Sequence, residues 1–333
     1  MSRGTGVRSS RVLAGRPLNP VLARELKERM RRRRSAAVLT VYLVVLAAVV
    51  WLLYLGASLD ESGPGALRLA SLGRTSFHAL LFTMLLLVCF IVPGLCSGGI
   101  AGERERQTLV PLQLTLLRPR SILLGKLAAS LAFVAFLVLA TLPLVGTSFF
   151  LGGVQMGDLI RGFAMVLIVA AVLGAISLTC STLFKRTQGA TVISYAVVLF
   201  LLVGTFFVFG AQLVLARRGP AGNNQAILFL NPLMATADVI STSNDDRELL
   251  PSPFTPLQLL IDQRRRSPDA AMSDPVQNPQ SSFMLAPPQW RPPWVNRIPF
   301  WVESLACYLL VSVGCLVLAS RRLSLPARGG GAS

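Results

Sequence analysis

Residues 36–57 read AAVLTVYLVVLAAVVWLLYLGA, without a single charged side chain. A hydrocarbon core about 30 Å thick needs roughly 20 such residues per helical crossing, so this stretch decides the fold class. It is too long for the apolar region of a signal peptide and lacks a cleavage-site pattern, which keeps it in the mature protein. Similar runs follow at about 78–100, 127–150, 163–184, 190–215 and 300–319. The predicted fold is therefore all-α and polytopic, with about six transmembrane helices.

Composition agrees. The 333 residues are 53% hydrophobic and only 14% charged, which is too apolar for an ordinary soluble domain. The formal charge of +17 invites a nucleic-acid reading, but most basic residues crowd the ends of apolar runs. No groove-reading or stacking element accompanies them, so nucleic acid is not an expected partner. The five cysteines, Cys89, Cys96, Cys180, Cys307 and Cys315, all lie inside apolar segments, which argues against a disulfide framework.

Outside the spans the chain divides simply. Residues 1–18 are rich in Arg, Ser and Gly and read as a disordered tail. Residues 19–320 form one transmembrane domain, and 321–333 a second tail. Asn19-Pro20 signals a helix start, and Val21, Leu22, Leu26 and Met30 then share one side among charges. This is an amphipathic helix lying in the interface, or else a solvated basic arm. The long loop 216–299 is polar and Pro-rich, except for AILFLNPLMATADVI at 226–240. That piece is interrupted by Asn231-Pro232 and suits a re-entrant or interfacial segment better than a crossing. Trp290, Trp294 and Trp301 straddle the entry to the sixth span, where an aromatic belt belongs.

Lys and Arg set the orientation. With the N-terminus cytoplasmic, eleven fall in the N-terminal arm, five in the 2–3 loop, two in the 4–5 loop and three in the tail. The short outer loops then hold only Arg68, Arg74 and Arg161. Both termini are expected inside, with 216–299 outside.

Several chemistries lack their residues. There is no G-x-x-x-x-G-K-[ST] phosphate loop, no H-E-x-x-H and no G-x-S-x-G. The one histidine, His78, sits at the outer edge of the second run and reads as an interfacial residue. No catalytic group, cofactor site or metal site is expected, and the chain is not read as an enzyme. The middles of the spans carry no Asp, Glu, Lys or Arg. Ion-coupled carriers place an ionisable group there, so energy for transport would have to come from another subunit.

The 2–3 loop, AGERERQTLVPLQLTLLRPRSILLGK at 101–126, is the most informative stretch. Glu103, Arg104, Glu105 and Arg106 form a charged cluster, followed by Leu109, Leu112, Leu114 and Leu117. Such an element either docks in a partner's groove or rests on the membrane surface. Gly94, Gly98 and Gly102 form a small-xxx-small ridge that permits close helix approach, within the chain or across a dimer. Pro93 and Pro143 are candidate kinks in the second and third spans.

The order of these parts resembles the permease subunits of ABC transporters of the type-two exporter class. The resemblance rests on Asn19-Pro20 with Arg24-Glu25-Leu26, then on Glu103-Arg104-Glu105, Thr108-Leu109, Leu112 to Leu117, Arg118 to Arg120 and Gly125-Lys126. It is local, over about 19–34 and 101–127. It departs where Gln107 stands in place of the usual Gly before Thr-Leu, and where Pro111 interrupts the turn.

The resemblance implies a membrane half of a pump in the bacterial cytoplasmic (inner) membrane, paired with a second permease as a homodimer or heterodimer. A separate cytoplasmic ATP-binding subunit would couple through 101–126, with Glu103, Arg104, Glu105, Thr108, Leu109, Leu112 and Arg118 as contacts. Membrane lipids and an unidentified exported substrate complete the expected partners. The rival reading is a non-transport scaffold or anchor subunit of an envelope assembly, whose cytoplasmic elements merely dock a partner.

Overall fold

The computed structural model describes residues 33–58, 65–107, 119–216, 225–241, 253–254, 257 and 300–324. The N-terminal tail, most of the interfacial helix expected at 19–34, Thr108 to Arg118, nearly all of 242–299 and the C-terminal tail lie outside these. Among the described residues there is no strand. The helices are α1 (Arg33–Ser58), α2 (Gly65–Cys96), α3 (Gly98–Glu105), α4 (Pro119–Ala140), α5 (Leu142–Leu151), α6 (Met156–Leu183), α7 (Thr187–Leu199), α8 (Thr205–Ala216), α9 (Pro232–Ser241) and α10 (Phe300–Ser324).

They make six stretches long and apolar enough to cross a membrane: Ser35–Ser58, Leu69–Glu105, Arg120–Leu151, Met156–Leu183, Thr187–Ala211 and Trp301–Leu323. The all-α, six-crossing architecture expected from the apolar runs is the one observed. The second crossing begins earlier than its apolar run, because helix α2 continues through Arg74 toward its start. His78 is thereby inside α2 and only 6% exposed, with the rings of Phe77 and Phe254 beside it.

The third crossing is two helices. Thr141 separates α4 from α5, its hydroxyl donating to the Val138 carbonyl at 2.6 Å. Pro143, in the first turn of α5, has no N–H with which to continue the α4 ladder. The fifth crossing is also divided, by a π turn at Phe200–Gly204 between α7 and α8. Such turns widen the helix by one residue and leave backbone carbonyls to be satisfied from outside the helix.

The satisfying groups come from the 5–6 connection. A 3-10 turn, Gln225–Leu230, leads through Asn231 into α9, and Asn231 is fully buried. Its side-chain N–H donates to the Leu202 carbonyl at 3.2 Å and to Thr205 Oγ1 at 2.8 Å. Thr205 in turn donates to the Leu201 carbonyl at 2.9 Å. The same Asn231 accepts the Leu233 N–H at 2.9 Å, capping α9 as Asn does at helix starts. Further along α9, buried Asp238 accepts the Trp301 N–H at 2.8 Å in the first turn of α10.

α6 is the hub, touching α2, α3, α4, α7, α9 and α10. Lipid tails are as apolar as leucine, so small residues rather than hydrophobic gain let helices approach. Gly162 and Gly174 do this on α6. A Cβ there would come within 2.7 Å of Leu81 Cδ1 and 2.8 Å of Leu127 Cδ1. α1, by contrast, is attached at the edge through Tyr42 and Leu46, while Val41, Val44, Trp51 and Leu52 face outward.

Candidate functional site

The end of the bundle formed by the C-terminus of α2, α3, the start of α4 and the α6–α7 junction holds the charged cluster. α2 contains Pro93 and stops at Cys96, and Ser97 turns the chain into α3. Ser97 Oγ shares a 2.8 Å hydrogen bond with Thr191 Oγ1 of α7. The N–H groups of Ile100 and Ala101 both donate to the buried Ser181 Oγ of α6, at 3.0 and 2.9 Å. Beneath them Ile100, Leu123, Leu127, Ala175, Leu178, Ala319 and Leu323 form a separate small apolar core. α3 is thus seated on the bundle, not standing off it.

Each charge of the cluster then finds its own partner. Glu103 pairs with Lys126 of α4 at 2.8 Å, where the Lys side chain is only 5% exposed. Arg104 donates to the carbonyls of Phe184 at 3.2 Å and Thr182 at 3.5 Å, at the C-terminal end of α6. A cation there meets the negative end of the helix dipole. Glu105 accepts from the Thr187 N–H at 2.8 Å and from Thr187 Oγ1 at 2.7 Å. Thr187 opens α7, whose first turn has no acid of its own and whose N-cap, Arg186, makes no side-chain cap. Glu105 therefore supplies, from 82 positions away in the chain, the capping acceptor that the local sequence lacks.

The glycine ridge faces the same helix. A Cβ on Gly94 would lie 2.9 Å from the Tyr195 hydroxyl, and Cβ atoms on Gly98 and Gly102 would lie 3.4 and 3.7 Å from Thr187. The close approach lets Tyr195 donate to the Phe90 carbonyl at 2.9 Å. At the end of α3, Gln107 takes φ 57°, with its N–H donating to the Arg104 carbonyl at 3.1 Å.

Of the residues singled out from sequence, the structure brings Glu103, Arg104, Glu105, Gly98 and Gly102 into one cluster, with Gly94 one turn earlier. Thr108, Leu109, Leu112 and Arg118 lie outside the described residues. Sequence reasoning missed Ser181, Thr187 and Thr191, and saw Lys126 only as a helix start. The one clue to Thr187 was an unassisted helix start after Lys185-Arg186, a lack that nothing nearby in the chain resolves.

Among the described residues no three His, Cys, Asp or Glu side chains gather to hold a metal, and no cysteine is in a disulfide. What converges here are the ends of the second to fifth crossings, joined through one short helix. The model of a protein family described as ABC-2 family transporter protein matches residues 20–263, most of the chain. No curated protein matches it.

Proposed function

The chain belongs to the ABC-2 transporter family, and from that premise we propose that it is the membrane-spanning permease of an exporter driven by a separate ATP-binding subunit. Two permeases pair in the cytoplasmic membrane, each with both termini inside, and each receives its ATP-binding subunit on the 101–126 element. Membership makes the chain an integral membrane transport component. Direction, pairing and coupling are the proposal.

The observation that carries it is the seating of α3. A helix bound to Ser181, Phe184, Thr187 and Lys126 ties the 2–3 connection to the ends of the third, fourth and fifth crossings. A push delivered to that connection reaches the bundle as a rigid-body shift, the kind of displacement that packed interfaces convert into two alternative arrangements. The full sequence contains no phosphate-binding G-x-x-x-x-G-K-[ST] loop, so the nucleotide must bind elsewhere. The apolar middles of the crossings supply no ion-coupling group.

Within 101–126 we propose a division of labour. Glu103, Arg104 and Glu105 bind the bundle, and the leucine-rich stretch with Leu109 and Leu112 would engage the ATP-binding subunit. Amphipathic segments dock by such apolar anchors. Co-expression with candidate ATP-binding subunits should yield a stoichiometric complex with one of them from solubilised membranes. Leu109→Glu together with Leu112→Glu should abolish that complex while the permease still inserts. A permease that inserts normally and never retains an ATP-binding subunit is instead the scaffold of the rival reading.

A further inference from the structure

We propose that Glu105 and Thr187 are a positioning pair that carries movement of the 101–126 element into the fifth crossing. The inference rests on the coupling reading above and adds to it the helix on which the stroke acts.

The other attachments of α3 run to elements that cannot move alone. Ser181 and the Phe184 carbonyl belong to α6 or its end, and α6 is the buried hub of the bundle. Lys126 sits in α4 among the small apolar core. α7 is different, because it is peripheral. Val192 is 66% exposed, and Leu199 and Phe200 also face outward. Its upper end is separated from α8 by the π turn at Phe200–Gly204, and π turns recur where a helix must bend or act.

At its lower end three exposed residues, Phe184 to Arg186, join α7 to α6, with extended backbone at Phe184 and Arg186. The side-chain connections there are the carboxylate of Glu105 on the Thr187 N–H and hydroxyl, and the Ser97–Thr191 hydroxyl pair a turn further on. Glu105 is exposed, so its grip comes from two acceptor contacts on one residue at 2.8 and 2.7 Å more than from unscreened charge. The contact is also direct, since Gly98 and Gly102 leave no side chain between α3 and Thr187. When α3 shifts, the first turn of α7 is pulled with it, and α7 tilts about the π turn.

The test uses the full complex of permease and ATP-binding subunit in lipid nanodiscs. An environment-sensitive fluorescent amino acid is placed either at Arg106, just after α3, or at Val192 in α7. A non-hydrolysable ATP analogue should shift both probes in the otherwise native complex. In Glu105→Ala the Arg106 response should persist and the Val192 response fall severalfold. Thr187→Val, which removes only the hydroxyl arm, should lose less, and Thr187→Ser should match the native protein. If Glu105→Ala does not assemble, Glu105→Leu, which keeps the bulk and removes both acceptors, is read in the same way.

A Val192 response of native size in the Glu105 variants overturns the proposal. So does loss of both responses, which would place Glu105 at the docking step. If neither probe responds in the native complex, the coupling reading itself falls, and the role of this pair with it.

Discussion

Gln107 is held at φ 57° where α3 ends, a left-handed conformation that costs an ordinary L-residue about 1–2 kcal/mol. Glycine is the usual occupant of such a position after a helix, because it has no Cβ to clash with the backbone. The permease pattern that this loop resembles places Gly before Thr-Leu. The backbone thus keeps the shape that glycine would serve, while the side chain does not. Gln107→Gly should raise stability by up to about 1 kcal/mol, since relief of strain outweighs the added chain entropy. Gln107→Val should lower it, because a β-branched residue tolerates this region least. Denaturation midpoints of the purified permease in detergent would show both, and equal midpoints would mean that the turn relaxes without cost.

At the scale of elements, the short 5–6 segment is held to a defect in its neighbour. The π turn of the fifth crossing exposes carbonyls in apolar surroundings, where an unmet polar group is expensive. Asn231 meets one directly and supports Thr205, which meets the next. It also starts α9. Asn231→Ala should therefore cost about 2–3 kcal/mol, combining a lost cap with an unsatisfied buried carbonyl. Asn231→Ser keeps a capping oxygen but is too short to span to Leu202, so it should recover only about 1 kcal/mol of that loss. Thermal unfolding of the three proteins would separate the two roles. If Ser restores full stability, the bond to the π turn contributes nothing.

For the whole molecule, an even number of crossings returns the end of α10 to the end of the bundle that holds α3, where Ala319 and Leu323 pack beside Ile100. From the density of Lys and Arg on the 1–34 arm, the 2–3 loop and the tail we propose that this end faces the cytoplasm. A fluorescent-protein fusion at the C-terminus should glow, and alkaline phosphatase inserted into loop 242–299 should be active. Phosphatase activity at the C-terminus would reverse the orientation. It would also remove the 101–126 element from any ATP-binding partner.

The sequence by itself determined the class of fold, the six crossings and the family. Those follow from quantities that are local in the chain, namely the length of each apolar run, the charges flanking it, and a short motif between two of them. Glu103, Arg104 and Glu105 were visible as a cluster for the same reason. Which partners the cluster binds within the chain was decided only by the tertiary structure. Lys126, the end of α6 and the start of α7 approach it from 23 to 82 positions away, and no periodicity records such a meeting. The same holds for Asn231, which reads as an interruption in an apolar stretch and whose partner is the π turn of the fifth crossing. A buried polar side chain is explained by its partners, and in this bundle the partners are chosen by packing.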